Sequence, residues 1–95
     1  MAQLEVHVVS PEREVFSGPA DMVVAKGTDG DVGILPGHAP LLISLAEAPV
    51  RILEDGRETL SIVVHGGFLH VTPGEEVTRV EVLAERAQLP EEPEG

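Results

Sequence analysis

Apolar and polar residues alternate along most of the chain with a period of two residues. This period is typical of a strand with one buried face, and no stretch of 11 or more residues shows a convincing helical period instead. Turn residues separate the apolar stretches at intervals of roughly 8–12 residues, as in an all-β sandwich or barrel. The predicted strands are residues 3–8, 14–17, 20–26, 31–35, 41–46, 48–53, 58–64, 68–71 and 77–83.

Glycine and proline mark the boundaries between these strands. The pair Asp55-Gly56 between two apolar runs predicts a tight β-hairpin. The pair Gly66-Gly67 predicts a bend or bulge where another backbone approaches. The loop that carries His38 has Pro36-Gly37 on one side and Pro40 on the other, so its backbone is restricted at both ends. A rigid loop that presents a polar side chain is suited to docking.

The length of 95 residues is sufficient for one domain with a modest core. We predict that this domain covers residues 1–87. Residues 88–95 are polar, acidic and interrupted by proline, so we predict a short disordered acidic tail there. The chain has no cysteine, no apolar stretch near the ~20 residues that span a bilayer, and no apparent signal peptide.

Acidic residues outnumber basic ones by 17 to 6, which gives a net charge of −11. Such a chain repels the phosphates of nucleic acids and of anionic lipids. With two phenylalanines and no tyrosine or tryptophan, it also lacks the side chains on which single-stranded nucleic acids stack. The composition therefore argues against a nucleic acid partner and against direct membrane insertion, and it favours a partner with a basic surface.

Three sets of residues imitate catalytic or ligand-binding motifs. Residues 27–33 have the glycine spacing of a phosphate loop, but no Lys-Ser or Lys-Thr follows and their aspartates would repel phosphate. Asp29 and Asp31 lack the further ligands of a calcium loop. His65 and His70 are close in sequence, but no cysteine accompanies them. We expect no catalytic residue, no metal and no cofactor.

Three motifs, taken together, resemble those of a known family. They are residues 16–18 (Phe-Ser-Gly), residues 30–42 (Gly-Asp-Val-Gly-Ile-Leu-Pro-Gly-His-Ala-Pro-Leu-Leu) and residues 66–71 (Gly-Gly-Phe-Leu-His-Val). Their order and spacing are similar to those of the ε subunit of bacterial F-type ATP synthases. The resemblance extends over residues 3–87. Each motif is a weak signal by itself, whereas three in the same order are a strong one.

The resemblance implies a fold and a function. The N-terminal domain of the family is a flattened sandwich of two five-stranded β-sheets, which agrees with the strand pattern. The implied role is that of a non-catalytic rotor subunit of the central stalk, which helps to couple proton flow to ATP synthesis. The expected partners are the γ subunit, the c-ring of the membrane sector and, within the complex, the α/β catalytic head. The expected location is peripheral, at the cytoplasmic face of the cell membrane.

The resemblance also implies two contact regions. Gly30 and Asp31 are similar to the part of the family that touches the polar loops of the c-ring. His38, Ser10 and Ile43 are similar to positions that face γ. Because one exposed ion pair contributes only about 0–1 kcal/mol, most of the affinity is expected from an apolar sheet face against γ. Two alternatives stay open, namely that Asp31 caps a turn and that His38 satisfies a carbonyl of its own loop.

The end of the chain departs from the pattern of the family. Many members continue into a two-helix hairpin that inhibits ATP hydrolysis and in some members binds ATP. Residues 84–87 resemble the end of the last strand, and the remainder is too short and too rich in proline for two helices. We therefore expect a naturally short form that lacks the hairpin, does not bind ATP and leaves ATP hydrolysis largely uninhibited.

Two other functions are compatible with an acidic β domain. One is a small cupin-like sandwich that holds a metal or another ligand through His65 and His70, and a stoichiometric metal ion in the pure protein would favour it. The other is a generic acidic adaptor, which would not require three ordered motifs. The stalk subunit is therefore the preferred hypothesis.

Overall fold

The computed structural model describes residues 3–89, which form ten β-strands in two sheets. Sheet A has the strand order β2-β1-β9-β8-β5, and sheet B has the order β10-β7-β6-β3-β4. The predicted all-β sandwich of two five-stranded sheets is thus confirmed. Residues 3–89 contain no helix that is long and apolar enough to cross a membrane. The strands are β1 (Gln3–Ser10), β2 (Arg13–Ala20), β3 (Met22–Gly27), β4 (Gly30–Ile34), β5 (Leu41–Ser44), β6 (Ala48–Glu54), β7 (Arg57–Val64), β8 (Gly67–Thr72), β9 (Val77–Ala84) and β10 (Ala87–Gln88).

Branched aliphatic side chains from both sheets fill the space between them. Val6, Leu69 and Val80 reach it from sheet A, and Ile52 and Ile62 reach it from sheet B, all of them fully buried. Burial of one such side chain stabilises the fold by about 1.5–3 kcal/mol. The period-two alternation of the sequence therefore has its expected cause, since every second residue enters this core.

Strands β1 and β9 form a parallel pair at the centre of sheet A. Val6 lies opposite Val80, and Val8 lies opposite Val82. The strand near the start of the chain therefore lies beside the strand near its end. Their outward-facing residues form one continuous surface with those of β8, which pairs with β9 on its other side.

The β6–β7 hairpin has the predicted turn. Asp55 and Gly56 both have positive φ angles, of 52° and 76°. Two consecutive positive φ angles define a type I′ turn, whose twist matches that of the flanking strands. The carboxylate of Asp21 accepts a hydrogen bond from the Asp55 N–H at 2.8 Å, which anchors the turn to the start of β3.

Backbone hydrogen bonds join the two sheets where β5 ends. The N–H of Leu45 donates to the carbonyl of Gly67 in sheet A at 2.9 Å. The next residue, Ala46, donates to the carbonyl of Lys26 in sheet B, also at 2.9 Å. Two consecutive residues therefore link opposite layers, and they fix the edge of the sandwich at this corner.

Two strands extend beyond the predicted elements. β2 continues through Pro19, which lies opposite Glu5, because β2 is an edge strand where proline is tolerated. β10 pairs with β7 through residues 87 and 88, so the pairing reaches one residue into the predicted tail of residues 88–95. Residues 90–95 of that tail lie outside the described residues.

Candidate functional site

A cleft lies at the open edge of the sandwich, between the turn that joins β3 to β4 and strand β5. Its volume is about 400 Å³, and its lining consists of residues 27–32 and 41–44. We call it the edge cleft. Three of the five residues implied by the family resemblance line it, namely Gly30, Asp31 and Ile43. The structure thus brings the two candidate c-ring residues together with one candidate γ residue.

The edge cleft has its shape because the β3–β4 turn is held against β5. The N–H of Thr28 donates to the carbonyl of Ser44 at 3.0 Å. Gly27 permits this approach, since a Cβ atom there would lie 3.0 Å from the carbonyl oxygen of Gly30 and 3.2 Å from Cδ1 of Ile43. A side chain at position 27 would therefore require these neighbours to move by a few tenths of an ångström.

Asp31 is an exposed acidic side chain of the edge cleft. It lies on edge strand β4, in register with Lys26 of β3. Its carboxylate takes part in no hydrogen bond or ion pair within residues 3–89, so nothing there supports a role as a turn cap. The neighbouring Gly30 has a φ of 139° and no atom within 4 Å of a Cβ at that position. Both residues are accessible to a partner.

The loop that carries His38 is bound both to itself and to β9. The N–H of His38 donates to the carbonyl of Leu35 at 3.0 Å, and the N–H of Gly37 donates to Oγ1 of Thr78 at 2.7 Å. Thr78 is buried, so this bond anchors the loop to the interior. Nδ1 of His38 lies 2.7 Å from the carbonyl oxygen of Ala39. His38 therefore satisfies a carbonyl of its own loop, which is the alternative that the sequence left open for this residue. Only its Nε2 remains for a partner.

Ser10 lies at the end of β1 beside a second concavity, which we call the apolar groove. Ser10 itself is buried, and its Oγ lies 3.4 Å from the carbonyl oxygen of Arg13. The groove has a volume of about 310 Å³ and opens near the outer face of sheet A. The residues that line it are Val9, Ser10, Pro11, Gly67, Phe68, Leu83, Ala84 and Glu85.

The apolar groove exposes two large side chains on neighbouring strands. Phe68 of β8 and Leu83 of β9 lie opposite each other, and they are 51% and 50% exposed. Sequence reasoning did not predict this surface. Each of the two stands directly beside a buried apolar residue on its strand, which breaks the alternation of apolar and polar positions. Such pairs of adjacent apolar residues are the signal that could have found the groove.

The three candidate γ residues do not form one patch. The loop of His38 is bonded to Thr78, near the start of β9, whereas Ser10 lines a groove formed at the end of β9 by Leu83 and Ala84. At a rise of ~3.3 Å per residue, the two ends of β9 are about 20 Å apart. Ile43 lies in the edge cleft. A contact with γ through all three residues would therefore have to be extensive.

Polar side chains occupy the outer face of sheet A next to the apolar groove. His7 of β1, Glu81 of β9 and His70 of β8 lie in register across three neighbouring strands. We call these three residues the histidine row. Nδ1 of His70 is 3.8 Å from Oε1 of Glu81. The row therefore places one carboxylate between two imidazoles.

Further carboxylates surround His7. Its Nε2 lies 2.7 Å from Oε1 of Glu5, and its Nδ1 lies 3.3 Å from Oγ of Ser17 and 3.6 Å from Oε1 of Glu14. In the neutral ring Nε2 donates to Glu5 and Nδ1 accepts from Ser17. The hydrogen bond from His7 lowers the pKa of the Glu5 carboxyl below its ordinary value of 4.5. Arg79 lies 3.6 Å from both Glu5 and Glu81 and so joins the two carboxylates.

His65 and His70 have different acidic neighbours. Nδ1 of His65 is 3.4 Å from Oε1 of Glu47, whereas His70 faces Glu81. Among residues 3–89, no group of three or more His, Cys, Asp or Glu side chains is arranged so that it could hold a metal ion. The geometry therefore gives no support to the cupin-like alternative.

The β-sandwich domain family of the ATP synthase delta/epsilon chain matches residues 3–90. The chain belongs to this family. The predicted membership is thus confirmed, and the match includes the whole range, residues 3–87, in which the motifs indicated it. The epsilon chain is a non-catalytic subunit of ATP synthase, so the family agrees with the expectation that this domain performs no reaction itself.

The ATP synthase epsilon chains of several bacteria are similar to this chain. The ATP synthase epsilon chain of Brevibacillus brevis is 48% identical over 90 residues, which are 95% of this chain and 65% of the relative. That of Frankia casuarinae is 54% identical over 87 residues, 90% of this chain and 96% of the relative. That of Chromohalobacter salexigens is 46% identical over 87 residues, which are 92% of this chain and 59% of the relative. The chain thus spans less than two thirds of two of these relatives and almost all of the third.

Two solved assemblies contain chains with a similar fold. One is the Euglena gracilis mitochondrial ATP synthase (OSCP/F1/c-ring), with a TM-score of 0.81 and 23% identity over 99% of this chain and 57% of the other. The second is the central stalk/c-ring of the Tetrahymena thermophila mitochondrial ATP synthase. Its matching chain has a TM-score of 0.62 and 19% identity, and the match covers 84% of this chain and 63% of the other. At these identities the likeness shows the fold alone.

Proposed function

We propose that the chain is a rotor subunit of the central stalk of an F-type ATP synthase, where it links the γ subunit to the c-ring. The observation that supports the proposal is that the sandwich has two separate concavities of different character. The apolar groove opens near the outer face of sheet A, and the acidic edge cleft opens at the edge of the sandwich. A linking subunit needs two such surfaces, one for each partner.

The apolar groove is suited to γ. Phe68 and Leu83 are about half exposed in the isolated chain. Covering the exposed half of each contributes about 1 kcal/mol, since full burial of a large apolar side chain contributes about 1.5–3 kcal/mol. Ser10 lines the groove, which supports its assignment to the γ contact. His38 would add a second contact at the far end of sheet A through its Nε2.

The edge cleft is suited to a polar loop of the c-ring. Asp31 presents a carboxylate at the cleft that has no hydrogen bond or ion pair within residues 3–89, and an arginine side chain from such a loop would complement it. An exposed pair of this kind contributes about 0–1 kcal/mol. Asp31 therefore sets the register and the rate of association with the ring, while the apolar contact with γ supplies most of the affinity.

In this role the chain performs no chemistry. It rotates with γ and the c-ring at the cytoplasmic face of the cell membrane, as a peripheral part of the complex with the α/β catalytic head. Its contribution is to hold the rotor together, so that proton flow through the membrane sector is coupled to ATP synthesis.

A calorimetric titration of the purified chain with its cognate γ subunit tests the γ contact. We expect saturable one-to-one binding that Leu83→Ser weakens by about fivefold, since the variant removes one apolar contact worth about 1 kcal/mol. Val63→Ser is the matched control, because Val63 is a partly exposed apolar residue of β7 in the other sheet. Absence of saturable binding by the wild-type chain would overturn the proposed function. Equal loss in both variants would instead exclude the groove as the contact.

A further inference from the structure

The histidine row and the apolar groove are neighbours on one face of sheet A. Two residues that are two positions apart on one strand have side chains on the same face, ~7 Å from each other. His7 lies one such step from Val9, Glu81 one step from Leu83, and His70 one step from Phe68. Each member of the row is thus within one Debye length, ~8 Å at physiological ionic strength, of a groove residue.

The charge of this face depends on the two imidazoles. The groups that face His7 are Glu5 from its own strand, Glu14 with Ser17 from β2, and Glu81 from β9. Arg79 of β9 contacts Glu5 and Glu81. His70 faces Glu81 from β9 and the uncharged Leu42 from β5. Three carboxylates and one guanidinium leave two net negative charges when both histidines are neutral, and none when both are protonated.

We propose that the histidine row makes docking at the apolar groove dependent on pH, so that the subunit binds its partner more weakly as the surroundings become acidic. The inference rests on the proposed function, in which γ occupies the groove. Histidine is the side chain that changes its charge between about pH 5 and 8. A chain with a net charge of −11 favours a partner with a basic surface, and protonation of the row removes the local negative charge that such a partner meets.

The row is built so that protonation changes its hydrogen bonding as well as its charge. When His7 is neutral, its Nδ1 accepts from Ser17, and after protonation Nδ1–H can only donate, with Glu14 at 3.6 Å as the nearby carboxylate. Glu14 and Ser17 both belong to the edge strand β2. Acidification therefore favours an ion pair between the carboxylate of Glu14 and the protonated His7, and this carboxylate is then less available to a partner.

Calorimetric titration with γ at about pH 8, 7 and 6 tests the inference. We expect the affinity to fall by about three- to tenfold from pH 8 to pH 6, as two exposed charges contribute only modestly. Linkage then requires that binding releases protons over the pH range in which the affinity changes, and titrations in two buffers of different ionisation enthalpy measure this release. Both effects should shrink at about 0.5 M salt, where screening shortens the Debye length.

The double variant His7→Gln/His70→Gln should bind with an affinity that changes much less over this range, and it should release fewer protons than the wild type, since only the row has been removed. Glutamine at position 7 can still donate to Glu5, and a thermal melt confirms that the variant folds. His65→Gln is the matched control, because His65 also faces a carboxylate, that of Glu47, but lies outside the row. It should keep the wild-type dependence.

The outcomes separate the two proposals. If wild type and double variant bind γ with the same affinity and the same proton release at each pH, the proposed role of the histidine row is overturned. The stalk function is then left intact. Wild-type binding that is independent of pH and salt also overturns it. Absence of binding at every pH overturns the proposed function, and the pH dependence with it. If the double variant does not fold, the proton release and salt dependence of the wild type decide the question.

Discussion

A Cβ atom at Gly67 would lie 2.2 Å from the carbonyl oxygen of Leu83 on the neighbouring strand. Gly67 also has a φ of 122°, a conformation that residues with a side chain rarely adopt. β8 begins here, and Gly67 lies opposite Ala84 of the neighbouring strand β9. Gly67 and Leu83 both line the apolar groove, so this close backbone approach lies within its wall.

Gly67→Ala should therefore destabilise the domain by about 2–4 kcal/mol, through backbone strain and through collision with a main-chain atom that cannot rotate away. Gly30→Ala is the matched control, because Gly30 has a similarly positive φ but open space around its Cα. Urea unfolding of both variants measures the difference. Equal losses of stability would show that β8 and β9 can separate here without cost.

Thr78→Val should loosen the loop of His38. The valine keeps the shape of the side chain but leaves the N–H of Gly37 without its acceptor. Because Gly37 is exposed and this hydrogen bond is only partly buried, its loss should cost about 0.5–1.5 kcal/mol. Hydrogen exchange of the Gly37 amide should become faster, and binding of γ should weaken if His38 contributes to it. Thr78→Ser, which retains the hydroxyl, should protect the amide as the wild type does, and failure to do so would contradict this account of the loop.

Asp31→Lys should weaken association with the c-ring and leave the fold intact. The position is exposed, so the expected change in stability is within about ±0.5 kcal/mol. Glu76→Lys makes the same change of charge in the exposed β8–β9 turn and serves as the control. Co-sedimentation with purified c-ring measures the association, and circular dichroism measures the fold. An unfolded Asp31→Lys protein would make Asp31 a structural residue and would remove it from the interface.

Glu5→Gln should lower the stability of the domain at neutral pH but not in acid. The hydrogen bond from His7 lowers the pKa of Glu5 in the folded state below its ordinary value of 4.5. A carboxyl whose folded pKa is depressed stabilises the protein above its unfolded pKa, and the contribution is lost as the pH falls through the folded pKa. The difference between wild type and variant in urea unfolding should thus be present at pH 7 and should decline as the pH falls below about 4.5 and through the lower folded pKa. A difference that persists undiminished at pH 3 would contradict the assignment.

Local sequence signals predicted the elements whose conformation depends on neighbouring residues. The Asp55-Gly56 turn was predictable because a type I′ turn requires positive φ at two adjacent positions. β10 was not predicted, because its two residues become a strand only through pairing with β7. The end of β2 was placed too early, since proline stops a central strand but is tolerated at an edge.

The candidate surfaces were predictable only in part. Asp31 and Gly30 lie next to each other in the chain, so their common location followed from the sequence. The histidine row did not, because it arises from the pairing of β1 with β9, whose residues are far apart in sequence. The separation of Ser10 from His38 has the same origin. Long-range register depends on the packing of the whole sandwich, which no short motif contains.

The central claim is that this small domain holds two partners at two different surfaces. Its most direct test measures the affinity of the wild type, Leu83→Ser and Asp31→Lys for γ alone and for a complex of γ with the c-ring. The account predicts that Leu83→Ser weakens binding to both, whereas Asp31→Lys weakens binding only when the ring is present. If Asp31→Lys weakens binding to γ alone as strongly as Leu83→Ser does, the edge cleft and the apolar groove serve the same partner, and the claim of two surfaces is wrong.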